Sequence, residues 1–345
     1  MQEIIEFRIN EKFASKLFAD NEGKKLGDSI RKIEISTDDP QYKRIGELDR
    51  KLSRSNNAFF YSWNVRRYYT SNEIEAAGCF HLNISTIFEP AGEECGTKYD
   101  ETTACPQCGS GAVQVSDLRL DLRKVPKNKH IARTIAGADE VIVSQWLAEK
   151  MIDSGFTGFE LRPVRHKARY EDDALDLRQV PTGREILRKA KAANAPHPTG
   201  AFYVWLNRAE NKMILDRARA EYVTLEGRRN RQRSKPMPVW HQLIVTSVDT
   251  EIVPPTRVGI NPFDEDAEGE YRCQHGDLIG LNLLSEVSIS ATSLGNADII
   301  STWQFIGARR GLLRPKRIIL ISPKMRRLIE SEKLGGAELE IAHIV

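Results

Sequence analysis

Cys95, Cys105 and Cys108 fall within fourteen residues of a chain that has five cysteines in all. The stretch GEECGTKYDETTACPQCGSG ends in CPQCG, two thiols three positions apart with a proline between them and a glycine directly after. A turn this tight points backbone N–H groups at the sulfurs, and the glycine relieves crowding where the chain reverses. Cys95 offers a third thiolate across a nine-residue spacer, so three of the four tetrahedral positions of a Zn²⁺ ion are filled locally. The fourth is open. A CxxC partner for Cys95 would stand at position 92, which is Gly92. Candidates are the neighbouring Glu93 and Glu94, Cys79 and His81 in CFH upstream, Cys273 and His275 in CQH far downstream, or water.

The chemistry these residues point to is one structural zinc ion clamping a loop. Catalytic zinc draws mainly on histidine and carboxylate, and no HExxH-like spacing occurs. Nucleophile motifs are equally absent. The chain has no GxSxG elbow, no SxxK, no P-loop and no GxGxxG after a strand, and its seven histidines are scattered. Enzymatic activity stays open, with a non-enzymatic role favoured.

The elements that must carry the knuckle show an internal repeat. Val141-Ile142-Val143-Ser144 leads into QWLAEKMIDSGFTGFELRPV, and Ile319-Leu320-Ile321-Ser322 leads into PKMRRLIESEKLGGAELEIAHIV. With the serines superposed at an offset of 178, Gly158 falls on Gly336, Glu160 on Glu338 and Leu161 on Leu339, with no gap. Each unit predicts strand, helix, strand. A β-branched run is followed by a serine N-cap, an apolar stripe at three-to-four spacing, and a glycine stop. Pro323 fits the first helical position, where its missing N–H costs nothing. The expected fold is α+β with two related lobes, each holding one such unit, and a zinc knuckle over 95–108 in the first. The lobes would run over 1–170 and 201–345, joined by a connector over 171–200 with a short helix at Arg184–Ala193. Leu147 and Met151 would then sit in one core, and Met325 and Ile329 in the other. Cys273 and His275 precede the second unit much as the knuckle precedes the first, so CQHG reads as a partial counterpart able to lend ligands across the lobe interface.

Basic residues crowd the segment 309–327, with Arg309, Arg310, Arg314, Lys316 and Arg317 at its start and Lys324, Arg326 and Arg327 behind them. Guanidinium density of this kind suits phosphate, although no nucleic-acid-binding motif accompanies it. A second run over 228–235 reads as a solvated loop, as does the acidic FDEDAEGE over 263–270, whose spacing fails the EF-hand pattern. The aromatic cluster Phe59, Phe60, Tyr61, Trp63, Tyr68 and Tyr69 predicts a half-buried strand used for core packing.

Composition bounds the rest. An odd cysteine count is a poor disulfide framework, the charged opening MQEIIEFRINEKF has no apolar leader, and no segment approaches eighteen uninterrupted apolar residues. A cytoplasmic protein without a membrane span is expected. The balance of 51 basic against 48 acidic residues names no partner, being too neutral for a pure nucleic-acid binder and for an acidic nuclease inhibitor alike.

The CPQCG knuckle, the GEECG stretch and VIVSQWLAEKMIDSGFTGFELRPV together resemble the bacterial double-CXXCG motif proteins, a paralogous family best known from myxobacteria. The resemblance covers about residues 88–164, with a fainter echo at the C-terminus. It implies Cys95, Cys105 and Cys108 as zinc ligands. Some members are associated with immunity to polymorphic toxins, which implies a protein-binding module of immunity type with a toxin as partner. The chain departs from the pattern at Gly92, where the first cysteine of the first CXXCG would stand, and is longer than the typical member. The expected function is therefore a cytoplasmic, zinc-binding partner of another protein. The alternatives are nucleic-acid binding through 309–327 and, behind it, zinc-dependent hydrolysis.

Overall fold

The computed structural model describes residues 1–53, 59–137, 139–167, 237–259, 261–263, 272–280 and 282–345. The expected connector over 171–200 with its helix, the opening of the second lobe over 201–236, the basic run over 228–235 and the acidic residues 264–270 lie outside the described residues. The fold is mixed α+β, mostly short strands, with five α-helices among the described residues.

The first seventy residues fold on their own core. β1 (Gln2–Asn10), α1 (Glu11–Ala14), β2 (Lys24–Lys25), β3 (Ile30–Ser36), α2 (Pro40–Ser53) and β4 (Phe60–Tyr68) give an antiparallel sheet ordered β2-β3-β1-β4. Alternation in β1 buries Ile5, Phe7 and Ile9 and turns Arg8 outward, the period-two signature of a sheet with one dry face. Ile33, Ile35, Ile45 and Phe59 complete that core. Phe263, distant in sequence, closes it by stacking on Phe7 at 5.9 Å between ring centroids. The aromatic cluster divides: Phe59, Phe60 and Trp63 pack in this core and Tyr69 in the next, whereas Tyr61 and Tyr68 are exposed. These first residues, together with Phe263, thus form a hydrophobic core of their own.

After α3 (Ser71–Ala76) come β5 (Phe80–Asn83) and β6 (Ile87–Phe88). A first excursion then carries the hairpin β7 (Tyr99–Asp100) and β8 (Val113–Gln114), followed by β9 (Arg119–Leu120). It returns into β10 (Ile131–Thr134), β11 (Val141–Ser144), α4 (Gln145–Asp153) and β12 (Phe159–Pro163), with β13 (Arg165–His166) pairing back to β9. The later half repeats this order. β14 (Trp240–Val245) precedes a second excursion with β15 (Val258–Gly259), β16 (Asn282–Leu283) and β17 (Val287–Ile289), and then come β18 (Ile299–Ile306), β19 (Lys316–Ile321), α5 (Pro323–Ser331) and β20 (Glu338–Ile344).

Both units adopt strand, helix, strand. Ser144 caps α4 by accepting from the Leu147 N–H, Ser322 caps α5 by accepting from the Met325 N–H, and Pro323 takes the first turn. Their sheets are ordered β12-β14-β11-β10-β6 and β17-β20-β5-β19-β18. β14 therefore inserts antiparallel between β11 and β12, while β5 inserts antiparallel between β19 and β20. Each half lends its opening strand to the other half's sheet. The hydrogen bonds repeat as well. Arg133 N–H donates to the Thr86 carbonyl at 3.0 Å, and Ser301 N–H donates to the Ser247 carbonyl at 2.8 Å.

This exchange decides the core. Leu147, Met151, Met325 and Ile329 all belong to one buried cluster, together with Phe80 from β5 and Leu243 from β14. The expectation of two separate cores is overturned, because interleaved sheets leave no plane along which the halves could part. Full burial of each such side chain stabilises by about 1.5–3 kcal/mol. The helices end at Ser154–Gly155 (φ +63°) and at Glu332–Lys333 (φ +49°), whereas the expected glycine stops lie just before the next strands and are forced by the same interlock. Gly158 (φ +92°) would place a Cβ 2.0 Å from the Ile299 carbonyl oxygen, and Gly336 (φ +122°) 2.1 Å from that of Ile131. Among the described residues no helix is long and apolar enough to cross a membrane.

Candidate metal centre

The β7–β8 hairpin carries CPQCG at its tip. Cys105 N–H donates to the Ser110 carbonyl and Gly109 N–H to the Cys105 carbonyl, both at 2.7 Å, which curls the chain around the two sulfurs. The second excursion builds a smaller turn at CQHGD. Cys273 N–H donates to the Asp277 carbonyl and Gly276 N–H to the Cys273 carbonyl, both at 2.9 Å, while the His275 N–H points at the Cys273 sulfur at 3.4 Å. The two turns meet, and the sulfurs of Cys105, Cys108 and Cys273 lie within 4.8 Å of one another, all buried. Three buried cysteines are thus close enough to hold a metal ion.

A buried carboxylate stands beside two of the three. Asp277 is 4% exposed, and its Oδ2 lies 3.7 Å from the sulfurs of both Cys108 and Cys273. Tetrahedral zinc with Zn–S of about 2.3 Å and Zn–O of about 2.0–2.2 Å has an S···O edge of about 3.5–3.7 Å. Asp277 meets that edge to Cys108 and Cys273 but lies outside the group that includes Cys105. Ser110 Oγ donates to Asp277 Oδ2 at 2.5 Å, and Phe305 N–H donates to Oδ1 at 2.8 Å, so the carboxylate is oriented from two sides. Backbone N–H groups of Cys108 and Gln107 hold the Cys105 thiol below its ordinary range, whereas burial pushes Cys108 up to about 12. A cation supplies the compensation that burial of further thiolates requires.

The expected ligands divide. Cys105 and Cys108 lie in the group, and Cys273, an expected fourth ligand, enters as the third. Cys95 does not belong to it. It ends a short 3₁₀ turn ahead of β7, so the hairpin carries the knuckle away from it, and its sulfur instead accepts from the Asp121 backbone, with burial pushing the thiol up to about 12. Cys79 is buried in the outer core against β17, β18 and β19, its thiol raised to about 11 by burial. His81 sits in β5, 3.6 Å from Glu340. The His275 ring is exposed and meets Gln274 at 3.2 Å. Gly92 has no room for a cysteine. Its N–H donates to Glu140 Oε2 at 2.8 Å, and a Cβ there would fall 2.6 Å from Glu140 Oε1.

Asp277 was the residue missed by sequence reasoning. Its signal was local, an aspartate directly after CQHG inside the same turn. Glu140 was missed too. This fully buried carboxylate accepts from Gly92 N–H, Tyr99 Oη at 2.7 Å and Thr134 Oγ1, and so ties the base of the first excursion to β10. Tyr99 is pushed far above its ordinary pKa by burial and by that carboxylate.

The basic segment also divides. Arg309 N–H donates to the Cys108 carbonyl at 2.8 Å, and its guanidinium pairs with Glu93 and Glu101 at 3.4 and 3.1 Å. Arg314 pairs with the same carboxylates at 3.0 and 2.8 Å and stacks on Tyr99 at 3.9 Å. Arg310 is exposed, while Lys316 and Arg317 start β19 and line a cavity. Two of the five cations expected to meet phosphate are thus committed to the hairpin that carries the knuckle. No family model, no curated protein and no solved structure matches this chain.

Proposed function

We propose that this chain is a cytoplasmic binding protein in which one structural Zn²⁺, held by Cys105, Cys108, Cys273 and Asp277, staples two excursions of an interlocked α+β body. The observation that carries the reading is the meeting of three buried sulfurs from two distant loops, with a carboxylate 3.7 Å from two of them. The zinc knuckle is then shared between halves rather than owned by the first. We read the two strand-helix-strand units as copies of one duplicated element. A buried group of three thiols is a structural donor set rather than the histidine and carboxylate set of catalytic zinc, so a zinc hydrolase is not our reading.

The class of partner comes from the resemblance to double-CXXCG motif proteins, which supports an immunity-type module binding a toxin-like protein. Nucleic-acid binding through 309–327 is the weaker reading, because Arg309 and Arg314 are already neutralised by Glu93 and Glu101. Elemental analysis should find about one zinc per chain. A pull-down from native lysate, with and without nuclease, separates the partner classes. A nuclease-resistant protein complex supports the module, and recovered RNA or DNA replaces it.

A further inference from the structure

A second feature stands apart from the metal centre. Where β4 of the N-terminal sheet meets β5, β10 and β19, the fold leaves a cavity of about 300 Å³. Its lining holds Arg67, Arg133, Lys316 and Arg317 against one carboxylate, Glu340, with His81 beside them. Arg67 is already paired, with Glu3 at 2.8 Å and Glu340 at 2.9 Å. Arg133, Lys316 and Arg317 have no ion-pair partner among the described residues. Arg133 spends its Nε on the Ile84 carbonyl at 3.1 Å, Arg317 lies over the Phe305 ring at 4.6 Å, and Asp139 reaches Arg317 only through space.

Arg133 and Lys316 therefore repel each other across one small space, with Arg317 at its edge. Lys316 records this, its ammonium held down to about 8 by burial and by Arg133. One polar atom is also left idle. The Arg67 side chain is 2% exposed, yet its Nη2 has no hydrogen-bond partner, while His81 Nδ1 faces Glu340 Oε2 at 3.6 Å. A buried donor of this kind costs about 1–3 kcal/mol unless something accepts from it. Exposed Asn64 and Asn282 complete the lining and give it a route to solvent.

We propose that this cavity is a binding site for a small phosphomonoester, with Arg133, Lys316 and Arg317 holding the phosphate beside Arg67. A phosphomonoester brings about −1.5 to −2 charges and three acceptor oxygens, which answers the excess charge better than one carboxylate does. The volume is at the lower end for ligand sites and suits a mononucleotide or sugar phosphate, not a polymer strand.

The test titrates the full-length, metal-replete protein with pyrophosphate, adenosine 5′-monophosphate, succinate and a single-stranded RNA 20-mer, by calorimetry at low salt. Pyrophosphate or the monophosphate should bind, and Lys316→Met and Arg317→Gln should each weaken that binding about tenfold or more. Arg310→Ala, outside the cavity, should bind as the wild type does. Circular dichroism of each variant checks that it is folded. Absence of binding by both phosphates at millimolar concentration, or equal binding by folded Lys316→Met and Arg317→Gln variants, overturns the proposal. Succinate binding without phosphate binding assigns the cavity to dicarboxylates and overturns it too, as does RNA binding that pyrophosphate does not compete away.

Discussion

The two halves of the interlocked body share a frame and differ in what they hang on it. In both, a β-branched strand runs into a serine-capped helix, a left-handed glycine, and a strand that flanks the other half's opening strand. The excursions are not equivalent. The first carries two sulfurs in CPQCG, the second one sulfur and a carboxylate in CQHGD. The same asymmetry appears beside the cavity, where β19 opens with Lys316 and Arg317, and Arg133 of β10 answers to Ser301 of β18 in the hydrogen-bond scheme. A frame fixed by backbone pairing tolerates divergence in its loops and strand ends, and the chemistry has collected there.

The comparison breaks most visibly at the metal. If the centre joins the two excursions, Cys273→Ser should lose metal as completely as Cys105→Ser, although they lie in different halves. Either loss should cost several kcal/mol and lower the thermal midpoint by about 10 °C or more, since folding no longer gains the binding energy. Cys95→Ser should keep about one equivalent of metal by elemental analysis. Metal lost from the Cys95 variant but kept in the Cys273 variant would return the site to the first excursion alone.

The frame should behave symmetrically. Gly158→Ala and Gly336→Ala each force a Cβ to about 2 Å from a backbone oxygen in a left-handed conformation, so each should destabilise by more than about 3 kcal/mol in urea unfolding. A large effect in one half and a negligible one in the other would show that the interlock holds only one side.

Smaller effects sharpen the reading of the basic segment. Arg314→Gln removes a buried guanidinium stacked on Tyr99, but its carboxylate partners are partly exposed and screened. The expected cost is about 1–2 kcal/mol. Arg310→Ala should stay within about 0.5 kcal/mol of the wild type. Equal costs at the two positions would mean that Arg314 is not clamping the knuckle hairpin.

The smallest effect has the opposite sign. Lys316 is depressed from 10.5 to about 8 in the folded state, so its burial penalises the charged form below that range. Between those values the unfolded chain binds more protons, and wild-type stability therefore rises with pH. Lys316→Met should be the more heat-stable protein at pH 7, by about 2–4 °C, with the gain shrinking as pH climbs from about 8 toward 10.5. Thermal scans across that range in a ligand-free sample check it. A gain independent of pH would mean that packing, not charge, is responsible.

The residues alone determined the local pieces. The serine caps, the helical stripes of α4 and α5 and the turn at CPQCG are each set by interactions within a few positions. Short spacing therefore carries their signal. What the sequence left open was which pieces meet. Cys95 is nearer to Cys105 along the chain than Cys273 is, yet a two-stranded hairpin separates the first pair and an exchange of opening strands brings the second together. The same exchange merged two expected cores into one. Arg67, Arg133 and Lys316 share a cavity for a like reason, since strand pairing between distant segments sets their neighbourhood and no spacing records it. Ligand type was local and therefore readable, whereas ligand partnership was a matter of topology.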